Sequence, residues 1–351
     1  MGDHVNPDML AIAREGRGFT QSGLADQIGI SQSKYSKYES GNLVVSDEDL
    51  SSIARVLDFP AGFFCQSDAV YGFASPVFYH RKRARLSVGS LRVIQARLNI
   101  FRFHVNRLIR GVEVETPFDL PVMDVDSYDS PEDIARKVRL AWRLPMGPVA
   151  SLVAAIESAG AVLHKTLLNS NHIDAVVQVA PGSPQVAFIN ETIPGDRLRF
   201  TLAHELGHLI MHQHPSPDME READRFAAEL LMPEDEIKHQ LRGLSLHKLP
   251  DLKMQWRVSM AAIVMRAGNL GQITQRHSRT LFAQLAKNGW RKVEPYPIPV
   301  ETPTVFQDMV NTYLGAYRHT IAELCKLLNA TEGSFRREYL ETGSSGLRVV
   351  S

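Results

Sequence analysis

The chain has 351 residues, 44% hydrophobic and 22% charged, the composition of a globular protein long enough for two or three domains. Lys+Arg and Asp+Glu number 39 each, so the net charge is zero, which argues against nucleic-acid binding by bulk charge and excludes a charged disordered tail. No apolar run approaches the roughly 18 residues of a membrane span. The start, MGDHVNPDML, carries no secretory signal pattern, and two cysteines with no CxxC spacing fit a reducing cytoplasm rather than a disulfide framework.

The zero conceals segments of opposite sign. Residues 1–70 are net −5, 71–112 hold nine basic side chains and no acid, 113–160 are net −5, and 161–351 are net +1. Residues 9–58 read as four short helices: 9–15, closed by Gly16 and Gly18; one capped by Thr20 and closed by Gly29; one capped by Ser31 and closed by Gly41; and one capped by Ser46 and closed before Pro60. This fits a five-helix helix-turn-helix pattern, with small Ala25 at the helix crossing, Gly29 at the turn, and Leu24, Ile28, Ile30, Tyr35, Ile53 and Leu57 as its core. Residues 80–110 place Leu91, Ile94, Leu98, Phe101, Val105 and Leu108 at helical spacing, which predicts one long basic amphipathic helix. It has three readings: a second phosphate contact, a solvated face packing its apolar stripe on the following domain, or a partner for the acids of 113–133.

Pro117, Pro121 and the acids of 124–129 read as a connection. Helices follow over 131–142 and 148–159, then strands over 161–165, 174–179 and 185–189, with Pro181-Gly182 as a turn. Helices return over 196–213, with Asp196 as cap, and over 218–231. After Pro233 the pattern stays helical, apart from a Pro-rich linker over 294–303, and the tail from 343 reads as mobile. Cys65 and Cys325 read as core fillers. The expected fold is mainly α with a small β-sheet, an α+β arrangement divided as 1–70, a basic helical linker 71–125, 126–295, and a C-terminal helical segment 296–351.

Residues 204–208 read His-Glu-Leu-Gly-His. On a helix, positions i and i+4 share a face, so His204 and His208 can both reach one Zn²⁺. Glu205 then stands beside the metal, placed to take a proton from water and return it to a leaving amine. A catalytic zinc needs a third protein ligand. His214 is one candidate, although Met211 stands where a chain-reversing glycine would be needed. The other candidates are carboxylates of the next helix, and geometry alone does not separate Glu220 from Glu222. His212, one turn past His208, reads as solvent-facing or substrate-side.

Arg199-Phe-Thr-Leu-Ala-His-Glu-Leu-Gly-His208 and Glu222-Ala-Asp-Arg-Phe-Ala-Ala-Glu-Leu-Leu-Met-Pro233 resemble the ImmA/IrrE family of zinc-dependent peptidases over about residues 130–290. The resemblance implies a gluzincin-like fold, Glu222 as third ligand, and cleavage of a regulatory protein such as a repressor or antitoxin. Asp224 stands where many members have Asn, and reads either as a support for a ligand or as a surface carboxylate.

Residues 8–62 resemble the XRE/lambda-repressor family of helix-turn-helix proteins. The resemblance implies that the third helix enters the major groove of an operator, that Gln32, Ser33, Lys34 and Lys37 read base edges, and that Gln21 meets phosphate or braces a reading side chain. Tyr38 and Glu39 read as packing and helix-end contacts. The acids of the fourth helix, Asp47, Glu48, Asp49 and Asp58, are expected to point away. The resulting expectation is a cytoplasmic, homodimeric DNA-binding regulator with a zinc endopeptidase domain and no membrane partner. Two other readings stand beside it: a non-catalytic zinc domain that senses a ligand or partner, and a helix-turn-helix that recruits a protein substrate.

Overall fold

The computed structural model describes residues 5–72, 87–125, 129–168, 173–214 and 216–340. Arg81, Lys82, Arg83 and Arg85, at the start of the expected basic helix, and the tail from 343 lie outside the described residues. Among the described residues no helix is long and apolar enough to cross a membrane.

The N-terminal unit comprises α1 (Pro7–Gly16), α2 (Gln21–Ile28), α3 (Gln32–Glu39), α4 (Asp47–Leu57) and a 3₁₀ turn, Ala61–Cys65. Each α-helix starts where a short polar side chain, Asn6, Thr20, Ser31 or Ser46, accepts a hydrogen bond from a first-turn N–H that the helix leaves unpaired. Gly29 closes α2 at φ 74°, in the left-handed region where a side chain would be strained. Leu24, Ala25, Tyr35, Ile53 and Leu57 are buried at its centre.

This core does not end at residue 70. The next helix, α5 (Val88–Leu108), lends it Ala96 and Phe103. The opposite stripe of α5, Leu91, Ile94, Leu98, Phe101, Val105 and Leu108, packs against Val162, Val176, Val186 and Phe188 of the following sheet. Arg97, Arg102 and Arg107 turn inward as well, so within the described residues most of its basic side chains do not form a solvated face. Arg102 is fully buried, donating from Nε to Gln178 Oε1 at 2.7 Å and from Nη2 to the Gln178 carbonyl at 2.6 Å. Arg107 pairs with Asp68 at 2.7 Å and Arg97 with Glu338 at 3.3 Å, so among the described residues these acids, rather than those of 113–133, take its charge. Arg92 stays largely exposed, 3.9 Å from Glu15.

After α6 (Pro131–Ala141) and α7 (Leu152–Ser158) come β1 (Val162–Thr166), β2 (Ala175–Gln178) and β3 (Val186–Asn190). Helix α7 starts later than expected because Gly147 takes φ 85°, Pro148 follows it, and Ser151 supplies the cap. The sheet order is β1-β3-β2, with β1 parallel and β2 antiparallel to β3. The period of two divides its side chains. Val162, Val176 and Phe188 face α5, while Leu163, Ala175, Ala187 and Ile189 face a larger helical core.

That core contains α8 (Gly195–Met211), α9 (Met219–Leu231), α10 (Glu234–Ile237), α11 (Leu249–Trp256), α12 (Met260–Asn269) and α13 (Gln275–Lys287). Asp196 does not cap α8. The helix starts after Pro194, and Asp196 lies in its first turn, paired with the buried ammonium of Lys253.

The Pro-rich stretch over 294–303 is a fastened strap rather than a loose linker. Glu301 accepts from Arg199 of α8, from Ser151 Oγ at 2.9 Å and from the Val153 N–H at 2.7 Å. Glu157 then accepts the N–H groups of Thr304 and Val305, at 3.0 and 3.2 Å, where α14 (Val305–Gly315) starts. Burial pushes this carboxyl up to about 7. α15 (Ile321–Leu328), α16 (Glu332–Phe335) and a π-helical turn (Arg336–Leu340) complete the described fold against α5 and the sheet. They also reach the N-terminal unit, through Thr331 Oγ1 to Asp58 at 2.7 Å and Arg17 to Ser334 Oγ at 2.7 Å. Cys325 is buried among them, whereas Cys65 is only half-buried.

Candidate metal centre

Helix α8 turns His204, His208 and His212 to one side, as four-residue spacing requires. Helix α9 crosses it closely because residue 207 has no side chain. A Cβ there would stand 3.0 Å from Phe226 Cδ1 and 3.4 Å from Ala223 Cα. Phe226, Ala223 and Ala227 are fully buried in this contact, which brings the acidic first turns of α9 up to the histidines.

The Nε2 atoms of His204 and His208 lie 3.0 Å apart. Glu220 reaches the same point, with Oε1 3.5 Å from His208 Nε2 and Oε2 3.8 Å from His204 Nε2. Among the described residues these three gather ligand atoms within 4.8 Å of one another. Glu222 faces elsewhere, with Oε2 3.1 Å from His212 Nε2. His212 Nδ1 in turn lies 2.9 Å from His208 Nδ1. The carboxylate gathered with the histidine pair is thus Glu220, whereas the family resemblance pointed to Glu222. Helix α8 ends at Met211, and His214 is exposed beyond it, outside the group.

Asp224 accepts from His204 Nδ1 at 2.8 Å. His212 is not solvent-facing; its side chain is 4% exposed. Glu205 lines a cavity of about 210 Å³ with His208 and His212, walled on the far side by Leu120, Val122, Val177 and Val179. Val177 lies on β2, an edge strand of the sheet.

The electrostatics suit a cation. Burial pulls His204 down, but the hydrogen bond to Asp224 and the charges of Glu205, Asp224 and Glu220 outweigh it, so this imidazole stands above its ordinary value. Burial also holds His212 below its ordinary value. Two Nε2 atoms at 3.0 Å share either a proton or a metal ion. Two imidazoles and one carboxylate are the donor set that Zn²⁺ takes with a fourth position left open.

Helix α3, the expected reading helix, is built differently. Glu39 accepts from Arg14 Nε at 2.6 Å and from Gln21 Nε2 at 2.7 Å, and Gln21 Oε1 accepts from Gln32 Nε2 at 3.0 Å. Gln21 therefore braces Gln32, which stays exposed at the start of α3 together with Ser33, while Lys37 is exposed one turn later. Lys34 is not a free cation. Its ammonium lies 2.6 Å from Asp49, and this hydrogen bond raises its pKa. Asp49 also accepts from Tyr38 Oη at 2.5 Å, so one acid of the fourth helix faces α3 rather than pointing away from it.

Two family models match the chain: a helix-turn-helix domain over residues 8–62, and the IrrE N-terminal-like domain of a metallopeptidase family over residues 156–267. The chain fuses a helix-turn-helix domain to an IrrE N-terminal-like domain. A search of curated proteins found no match. The IrrE-like match covers all three strands, both metal-site helices, α10, α11 and most of α12, and ends within α12. It therefore contains every histidine and acid of the candidate metal centre.

Sequence reasoning missed the His212–Glu222 pair. A signal was present, because His212 continues the four-residue spacing of His204 and His208. It missed Asp49 because that contact depends on how α4 packs on α3.

Proposed function

We propose that this protein is a DNA-binding regulator whose IrrE-like domain is a zinc-dependent endopeptidase acting on a regulatory protein in the cytoplasm. The observation that carries the reading is the convergence of His204 Nε2, His208 Nε2 and Glu220, with His208 and Glu205 also lining a cavity. In this reading His204, His208 and Glu220 hold Zn²⁺, which when bound polarises a peptide carbonyl and acidifies water. Glu205 takes a proton from the attacking water on its carboxylate and delivers it to the departing amide nitrogen. The apolar wall of Val177, Val179, Leu120 and Val122 excludes water from one side and seats apolar side chains of an extended peptide.

The helix-turn-helix domain binds duplex DNA, as a homodimer on a two-fold operator. Gln32 is held by Gln21 for base contact, Ser33 and Lys37 stand free beside it, and Lys34 exchanges Asp49 for phosphate or base. Division at about 70, 125 and 295 remains our functional partition of the chain, although α5 and the C-terminal helices join the parts physically.

The test uses cells expressing the wild type or Glu205→Gln, with new protein N-termini mapped across the proteome. The reading expects termini that appear only with the wild type, while both proteins carry about one zinc per chain. Identical termini from two zinc-loaded proteins would count against catalysis.

A further inference from the structure

We propose that Glu222 and His212 form a relay that orients His208 and fixes its tautomer for metal binding. The proposal rests on the reading of His204, His208 and Glu220 as the ligand set, and it gives Glu222 a positioning role in place of a ligand role.

Counting protons assigns the donors. A ring nitrogen that binds a metal offers its lone pair, so a neutral His208 with Nε2 in the site carries its proton on Nδ1. That nitrogen lies 2.9 Å from His212 Nδ1. One proton serves the pair, so His212 accepts there and carries its own proton on Nε2. From Nε2 it donates to Glu222 Oε2 at 3.1 Å. Each nitrogen then has a partner of the right kind. Moving the His212 proton to Nδ1 sets two N–H groups face to face and leaves a bare lone pair against a carboxylate.

The two ligand histidines are thus supported in different ways. Asp224 backs His204 directly at 2.8 Å, while Glu222 backs His208 through one intervening ring. The side chains of His212 and Glu222 are 4% and 17% exposed, so water competes weakly for these bonds. The alternate positions Glu220, Glu222 and Asp224 of α9 therefore carry three jobs: one reaches the ligand point and two hold the rings that point at it. A negative charge at the far end of the relay makes His208 Nε2 a better donor and limits rotation of its ring.

The experiment is a Co²⁺ titration of the full chain followed by visible absorption, with Zn²⁺ competition for affinity. Glu222→Gln preserves shape and removes the charge. It is expected to keep the wild-type cobalt bands, because the ligands are unchanged, and to lower metal affinity about 10- to 100-fold. Glu220→Gln is expected to change the bands themselves. His212→Gln should follow Glu222→Gln, but because His212 is buried the argument rests on the Glu222 variant. Wild-type affinity in Glu222→Gln overturns the relay. Altered bands in Glu222→Gln with unaltered bands in Glu220→Gln make Glu222 a ligand and overturn it too. A wild-type chain that binds no cobalt overturns the ligand reading itself, and the relay with it.

Discussion

Among the described residues, two groups of buried or half-buried histidines keep different company. On α8, His204, His208 and His212 stand against Glu220, Glu222 and Asp224, with a ring-nitrogen partner at 2.8 to 3.1 Å for each of them. At the junction of α5, β1 and the C-terminal turn, His164 packs among Phe101, Phe188 and Tyr339, and His104 lies against Tyr339, whose Oη is 2.8 Å from its Nδ1; the Nε2 atoms of both have no hydrogen-bond partner among the described residues. Burial, with Arg107 and Arg17 nearby, pulls His104 down to about 3, and burial pulls His164 down to about 4. Histidine burial alone does not mark a metal site. Carboxylates at the ring nitrogens are what distinguish the first group, because they favour a cation at the point the rings share.

Glu205→Gln should lower cleavage by about 10²- to 10⁴-fold, the range for a lost general base or acid, with zinc content unchanged. Loss of zinc along with activity would instead make Glu205 part of the metal shell. Phe226→Ala should cost about 3–5 kcal/mol by emptying a fully buried site against residue 207, read by chemical denaturation. Because that contact sets the distance from α9 to α8, metal affinity should fall with it.

Acid separates the two histidine groups. A histidine whose folded value lies below its unfolded value of about 6.5 is neutral in the native protein, and the unfolded chain takes up the proton first. Its contribution to stability is complete above pH 6.5 and is lost as pH falls toward 4 and then 3. Each of His104 and His164 should remove about 1.4 kcal/mol per pH unit in that window. His104→Phe should flatten the pH dependence of the unfolding midpoint below pH 6. An unchanged slope would mean that His104 does not titrate on unfolding.

The reading face should respond more weakly. Gln32→Ala should relax base preference by about 1–3 kcal/mol at one position of the site, measured by selection from random duplexes. Gln21→Ala should give a smaller loss of the same kind, since Gln21 acts by holding Gln32. Uniform weakening across all sequences would show Gln32 to be a phosphate contact.

Much of this was legible in the chain. The i, i+4 histidines, the capped helices of the N-terminal unit and the three strands follow from local spacing, which reports one element at a time. Which of Glu220 and Glu222 lies nearer the His204/His208 pair was not legible, because it depends on the rotation of α9 about its axis against α8. That phase is set where Phe226 and Ala223 meet residue 207, a contact between two helices. Placed four residues apart, Glu220 and Asp224 share one stripe and both reach His204, while Glu222 falls beside it and reaches His212. The fate of the basic helix was hidden for a similar reason. Arg102 finds its partners on Gln178, Ser183 and Pro184, far along the chain, so a count of nine basic residues says nothing about how many remain free. The basic excess of residues 71–112 is thus partly taken up inside the fold, by distant acids and by neutral carbonyl, amide and hydroxyl oxygens.

The central claim is that His204, His208 and Glu220 form a metal centre. Elemental analysis of the chain purified from metal-replete cells tests it most directly. The account predicts about one zinc per chain in the wild type and in Glu205→Gln, and far less in Glu220→Gln with its fold intact. A folded wild-type protein without zinc, or a Glu220→Gln variant that keeps a full equivalent, would contradict it.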